Sequence, residues 1–337
     1  MRLVTFSIST VVGEFLRIGA LRKDKVVDLS MAYVRYLDQE RTTGRPYEVA
    51  QAILPPDMVE FLKGGRLSME AAKRVMDFVG GSLDRGEPVL GPRGETVVFP
   101  REGVKLKAPV PRPNSIRDTM SFEGHMKDFD RGMGRPMPEL WYENPVYYKG
   151  NPCTVIGPDE PILWPNYTEK KLDFELEFGI YIGKKGKDIR EDEAQQYIAG
   201  YTIFNDISAR DIMKREISLF MGPAKGKDMD SGNIMGPCLV TPDELDARNM
   251  KMSARINGET WAEGKSSDMY WSFAKIIEYI SRSETLYPGD FIGSGTVPYG
   301  CGDQLDRWIQ PGDVIELEVE GIGILRNTVV KRTGSYY

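Results

Sequence analysis

A single histidine, three cysteines and the lack of any long apolar run set the first limits on this chain of 337 residues. With only His125 available, zinc sites built on several histidines, such as His-Glu-x-x-His, are excluded, and carboxylates are left as the metal ligands to look for. Cys153, Cys238 and Cys301 are odd in number, far apart and without a Cys-x-x-Cys pair. That argues against a disulfide framework or a thiolate zinc site and fits a reducing cytoplasm. No run of about eighteen apolar residues occurs, so no segment reads as a membrane span. Residues 1–7 read as a strand, with no apolar stretch and small-residue cleavage site behind them, and the expectation is a cytoplasmic protein. Long basic tracts are missing too: a net charge of -6 gives no footing for nucleic acid or an anionic membrane and points to a small-molecule partner.

What is present is a chain long enough for a large core, 41% hydrophobic and rich in glycine and proline. Residues 1–105 read as a small α+β domain, with strands at 4–7, 15–20 and 25–29 and helices at 46–54 and 68–79. The second helix is amphipathic through Ala71, Ala72, Val75, Met76 and Val79. A Gly/Pro-bearing stretch at 86–94 and the residues at 105–111 form a connector into a main domain spanning 106–337. Residues 114–150 combine charge, Gly132, Gly134, Pro136 and Pro138 with the aromatics Trp141, Tyr142, Tyr147 and Tyr148, and read as a long irregular lid. Beyond it, 191–197 and 272–279 read as helices, and 199–206, 239–240, 252–256, 290–292 and 314–319 as strands. The turns Pro288-Gly289-Asp290 and Pro311-Gly312-Asp313 each feed a strand.

The stretch from Leu172 to Ile182 alternates strictly, so a β-strand here puts Asp173, Glu175 and Glu177 on one face and Leu172, Phe174, Leu176, Phe178, Ile180 and Ile182 on the other. Carboxylates two residues apart on a strand face lie roughly 7 Å apart at the backbone and repel one another. A solvated outer face relieves that repulsion; so does a divalent cation drawn in by the flexible Glu arms. The strand alone leaves both open.

Four motifs appear in order: Asp173-Phe174-Glu175-Leu176-Glu177; Asn205-Asp206-Ile207-Ser208-Ala209-Arg210-Asp211-Ile212; Ala224-Lys225-Gly226; and Tyr287-Pro288-Gly289-Asp290-Phe291-Ile292-Gly293-Ser294-Gly295-Thr296. On these residues, from about Val110 to Val329, the chain resembles the fumarylacetoacetate hydrolase family, metal-dependent enzymes acting on 2-oxo acids and 1,3-diketones. The resemblance implies a mainly β, α+β fold, a rolled mixed sheet behind the small N-terminal domain, and a homodimer. It implies that Glu175, Glu177 and Asp206 are carboxylate ligands of Mg²⁺, or in some members Mn²⁺ or Ca²⁺, with Asp118 as a fourth.

His125 matches the family's general base. Asp128 stands where many members carry the Glu that partners it, and Glu123 is the alternative. Lys225 matches the lysine that meets substrate oxygens, and Arg210 the arginine suited to a substrate carboxylate. Tyr148 and Thr296 match substrate-contacting positions. Gly293, Gly295 and Gly300 fail the dinucleotide spacing and suit close approach of backbone to a ligand. Met213 departs from the family, standing where many relatives carry a substrate-contacting Gln. The implied activity is hydrolytic cleavage of a carbon-carbon bond in a 2,4-dioxo acid through a metal-bound enolate. Decarboxylation, dehydration or isomerisation of a 2-oxo acid at the same site is the alternative, and a non-catalytic metal or organic-acid binding module the rival from another class.

Overall fold

Period-two alternation organises the molecule, because its central strands send successive side chains into two different cores. The computed structural model describes residues 1–331 apart from 133, 135 and 221. Among them, the strands Leu176–Ile182 and Ile198–Asp206 lie in the middle of a twelve-stranded sheet. Phe178, Ile180 and Ile203 point into one core, and Tyr181 and Phe204 into the other. The first core is closed by a five-stranded sheet, through Ala254, Leu317 and Leu325, and by the helix Phe273–Ser281. The second is closed by the N-terminal helices, through Ala72, Val75, Leu54 and Phe61. The architecture is α+β and sheet-rich, as expected.

The large sheet is mixed. Most neighbours are antiparallel, but Phe291–Gly293 runs parallel to Ile116–Thr119, and Asn233–Val240 parallel to Val155–Ile156. Its far side is N-terminal: Arg2–Thr10 pairs with Gly13–Arg22 and, through Leu3↔Leu239, with Asn233–Val240. Residues 1–105 therefore share both a sheet and a core with the rest of the chain, and Lys105–Lys107 of the connector is itself a strand paired with Arg2–Thr10.

Several local expectations change. Leu29 opens a helix, Leu29–Gln39, because Asp28 caps it by accepting the Met31 N–H at 2.9 Å. A further helix lies at Met58–Lys63, and the one expected at 68–79 extends over Gly65–Asp84. Glu191–Tyr197 is 3₁₀ rather than α. The segment 114–150 is largely regular, with strands Ile116–Thr119 and Tyr147–Gly150 and the helix Glu123–Gly132; Met133 and Arg135 within it lie outside the described residues. The acidic strand is broken into Leu172–Asp173 and Leu176–Ile182. Residues 172–180 are buried throughout, which removes the solvated face as an explanation of its charge.

Candidate active site

The break in the acidic stretch sorts its three carboxylates. Asp173 accepts from Arg210 Nε at 2.8 Å and from the backbone N–H groups of Gly302 and Asp303 at 2.6 and 3.0 Å. Glu175 accepts from Arg210 at 2.6 Å and from Lys227 Nζ at 2.5 Å. Burial alone would raise the Glu175 carboxyl, but Lys227 and Arg210 outweigh it and hold it below the usual carboxylate range.

Glu177 faces other acids. The sheet brings it together with Asp118 of Ile116–Thr119 and Asp206 at the end of Ile198–Asp206, one oxygen from each lying within 4.8 Å of the others. Glu177 Oε1 accepts from Thr296 at 3.1 Å, and Asp206 Oδ2 from Tyr148 and Lys227, both at 2.5 Å. Glu177 Oε2 and Asp206 Oδ1 are buried and have no partner among the described residues. Burial, and then the charge of Asp206, push Asp118 up to about 8. Glu177 is pushed well above its ordinary value by burial and then by Asp118, and Asp206 up to about 6 by burial. A compact set of oxygen donors with two orphaned atoms and mutual repulsion fits a hard divalent cation. Asp118, Glu177 and Asp206 can hold a metal. Glu175, expected as a ligand, lies outside this group because the two buried cations take its oxygens.

The glycine-rich turn serves the same acids. A Cβ at Gly293 would lie 2.2 Å from Asp118 Oδ1, and one at Gly295, whose φ is +76°, 2.2 Å from the Thr119 carbonyl oxygen. The close approach is therefore to the strand that carries Asp118, rather than to a ligand, and the Gly295 N–H donates to Asp118 at 3.2 Å.

His125 is buried in the helix Glu123–Gly132. Its Nδ1 lies 2.8 Å from Gln304 Oε1, and Gln304 Nε2 donates to Asp128 at 3.1 Å. Asp128 thus orients the Gln304 amide, which places the ring proton on Nδ1 and leaves Nε2 as the acceptor. Burial lowers the imidazole from its ordinary value, which favours the neutral ring. Gln304 sits on the short helix Gly302–Leu305, the turn that Asp173 holds by its N–H groups. Glu123 is engaged instead with Tyr142, at 2.5 Å, and Lys127, at 2.9 Å.

Together, His125, Glu175, Arg210, Lys227, Tyr148 and Thr296 line a cavity of about 240 Å³. Lys225 is not among them: its exposed ammonium donates to the Asp228 carbonyl at 2.6 Å and lies 5.5 Å from the Tyr167 ring centroid. Lys227 takes the place expected for it. Arg210 reaches the cavity, but it is clamped between Asp173 and Glu175 rather than paired with Asp211, which accepts the N–H groups of residues 169–171. Tyr148 and Thr296 donate to the metal-competent acids. Sequence reasoning missed Lys227 and Gln304. The two lysines of Ala224-Lys225-Gly226-Lys227 differ only in burial, and nothing local marks Gln304.

Comparison with known proteins places the chain in a family. The model of the fumarylacetoacetate hydrolase C-terminal family matches residues 114–330. Oxaloacetate tautomerase YisK of Bacillus subtilis (strain 168) is 30% identical over 311 residues, covering 91% of this chain and 93% of its own. The human mitochondrial oxaloacetate tautomerase FAHD2A is 30% identical over 281 residues, covering 82% of this chain and 81% of its own. Among solved structures, a fumarylacetoacetate hydrolase from psychrophilic Exiguobacterium antarcticum superposes with a TM-score of 0.68 at 25% identity, covering 98% of this chain and 100% of that one.

Proposed function

The chain belongs to the fumarylacetoacetate hydrolase family, and within it we propose that the protein enolises a 2-oxo acid, moving one proton between C3 and the 2-oxygen. The observation that carries this reading is the neutral partner of His125. A carboxylate at Nδ1 stabilises imidazolium and strengthens the base, as deprotonating a water for carbon-carbon cleavage requires; the Gln304 amide fixes the tautomer with less gain in basicity. Enolisation needs one oriented base and a site for developing negative charge. The tautomerase names of the two curated relatives support the same class, whereas the hydrolytic cleavage expected from family resemblance is supported by the acids and by the likeness to one solved hydrolase.

In the step itself, Nε2 of His125 takes a proton from C3. The C–H electron pair forms the C2–C3 double bond, the carbonyl pair moves onto the 2-oxygen, and the proton is returned there, so the reaction is an isomerisation. Lys227, held by Glu175 and Asp206, lines the cavity and supplies fixed positive charge for that oxygen. Tyr148 and Thr296 position Asp206 and Glu177. A divalent cation on Asp118, Glu177 and Asp206, for which the oxygen-only donors suit Mg²⁺ first, would supply Lewis acidity that lowers the cost of charge on the 2-oxygen.

The test is deuterium exchange at C3 of a panel of 2-oxo acids, followed by NMR with Mg²⁺ and with chelator. Metal-dependent acceleration that His125→Ala loses by on the order of a hundredfold or more is expected. No acceleration of any 2-oxo acid, together with release of a carboxylic acid from an acylpyruvate, would return the protein to hydrolysis.

A further inference from the structure

Fixed charge is distributed unevenly in the cavity. Among its described lining residues, the permanent cations are Arg210 and Lys227, and both are committed: Arg210 to Asp173 and Glu175, Lys227 to Glu175 and Asp206. Much of the remaining lining is apolar, with Met120, Val146, Met213, Ile217 and Pro223. Met213 is buried, and its sulfur lies 3.8 Å from Arg210 Nη1, so a thioether covers this guanidinium where the cavity meets it. The adjoining hollow beyond His125 and Met213 offers no surplus of positive charge. Its Lys214 is 3.2 Å from Asp303, its Lys171 lies 4.8 Å from the Trp308 ring centroid, and Asp128 and Asp306 line it as well.

Resting on the enolisation reading, we propose that Met213 sets substrate class: the site takes 2-oxo acids whose C3 substituent is apolar and uncharged, and disfavours dicarboxylic ones. A cation held by Asp118, Glu177 and Asp206 would meet the 2-oxo carboxylate end. A second carboxylate would lie against Met120, Met213 and Ile217, where the described residues offer no uncommitted cation, which is costly. An isobutyl or benzyl substituent would instead gain from the same contacts. Met213 is therefore a specificity residue, the departure from the family that the sequence already marks.

Calorimetric titration of the Mg²⁺-loaded protein reads the pocket independently of turnover, using phenylpyruvate and 4-methyl-2-oxopentanoate against oxaloacetate and 2-oxoglutarate. The expected result is tighter binding of the apolar acids by roughly ten- to a hundredfold, the range set by leaving a buried polar group unmatched. Met213→Arg should narrow or reverse that ratio, and Ile217→Lys, at a half-buried helix end that tolerates a cation, should move it the same way if Met213→Arg fails to fold. Equal or tighter binding of the dicarboxylic acids by the wild type overturns the proposal, as does an unchanged ratio in a folded variant. Exchange at C3, measured on the same samples, separates this outcome from failure of the enolisation reading: binding preference with no exchange refutes the reaction and leaves the pocket's preference standing.

Discussion

Two groups of buried carboxylates sit side by side in this protein, and they solve the same problem in opposite ways. Asp173 and Glu175 meet Arg210 and Lys227, so their charge is answered within the chain. Asp118 and Glu177 share a pocket with Asp206, to which Lys227 supplies the one close cation, and two of the oxygens there have no partner among the described residues. Both groups are buried and both draw on a single acidic stretch of sequence. The difference lies in which strands cross beside them. Burial of an acid is therefore not a sign of a metal site; burial without enough protein cation is.

The contrast can be broken most severely on the metal side. Glu177→Ala should reduce turnover and Mg²⁺ binding to the level of the chelated protein, while in chelator the variant should melt above the wild type because a repelled carboxylate is gone. Full activity of the variant in excess chelator would refute the assignment. Next in size is His125→Ala, with turnover down by about 10²–10⁴-fold and metal affinity unchanged by calorimetry. Since burial lowers the imidazole from 6.5, the wild-type rate should begin to fall only below that pH. A decline already complete at neutral pH would contradict the buried neutral ring.

On the compensated side, Lys227→Met leaves Glu175 and Asp206 facing each other and should cost about 3–5 kcal/mol in chemical denaturation. Asp118 makes stability depend on pH. Its carboxyl rises from 3.8 to about 8 on folding, so between those values the folded state holds a proton that the unfolded chain has released. Stability of the chelated protein should fall as pH rises through that window, and Asp118→Asn should flatten the slope. Smallest of all, Lys225→Ala should leave turnover within about twofold, because its ammonium is exposed on the surface. A turnover loss of about a hundredfold would restore the lysine expected from the sequence.

The sequence carries the sheet well, since the hydrophobic alternation of 172–182 and 199–206 and the turns at Pro288 and Pro311 sit where strands begin or run. The family resemblance also points to Glu177, Asp206 and Asp118, which the sheet brings together. The sequence fails where the decision depends on neighbours distant in the chain. Glu175 and Glu177 look equivalent by spacing, and only the positions of Arg210 and Lys227 separate them. The partner of His125 comes from 179 residues away, beyond any helical spacing rule, so the residue three positions later was the natural expectation. The N-terminal helices were only partly visible because Leu29–Gln39 depends on a cap by Asp28 that also holds Arg17 at 2.7 Å.

The pairing of Leu3 with Leu239 has a consequence for how the chain is made. The strand Asn233–Val240 is held on one side by Arg2–Thr10 and on the other by Ile198–Asp206, whose last residue is a metal-competent acid. Contacts of such wide sequence separation form late and at a high cost in chain entropy, so folding should be slow. During synthesis the start of the N-terminal hairpin, at Arg2 and Leu3, must wait for more than two-thirds of the chain before its partner emerges, with that part of the strand edge open although Lys105–Lys107 can cover the rest. Such an edge invites association between nascent chains, and a fragment lacking the first hairpin would carry the same hazard permanently along Asn233–Val240.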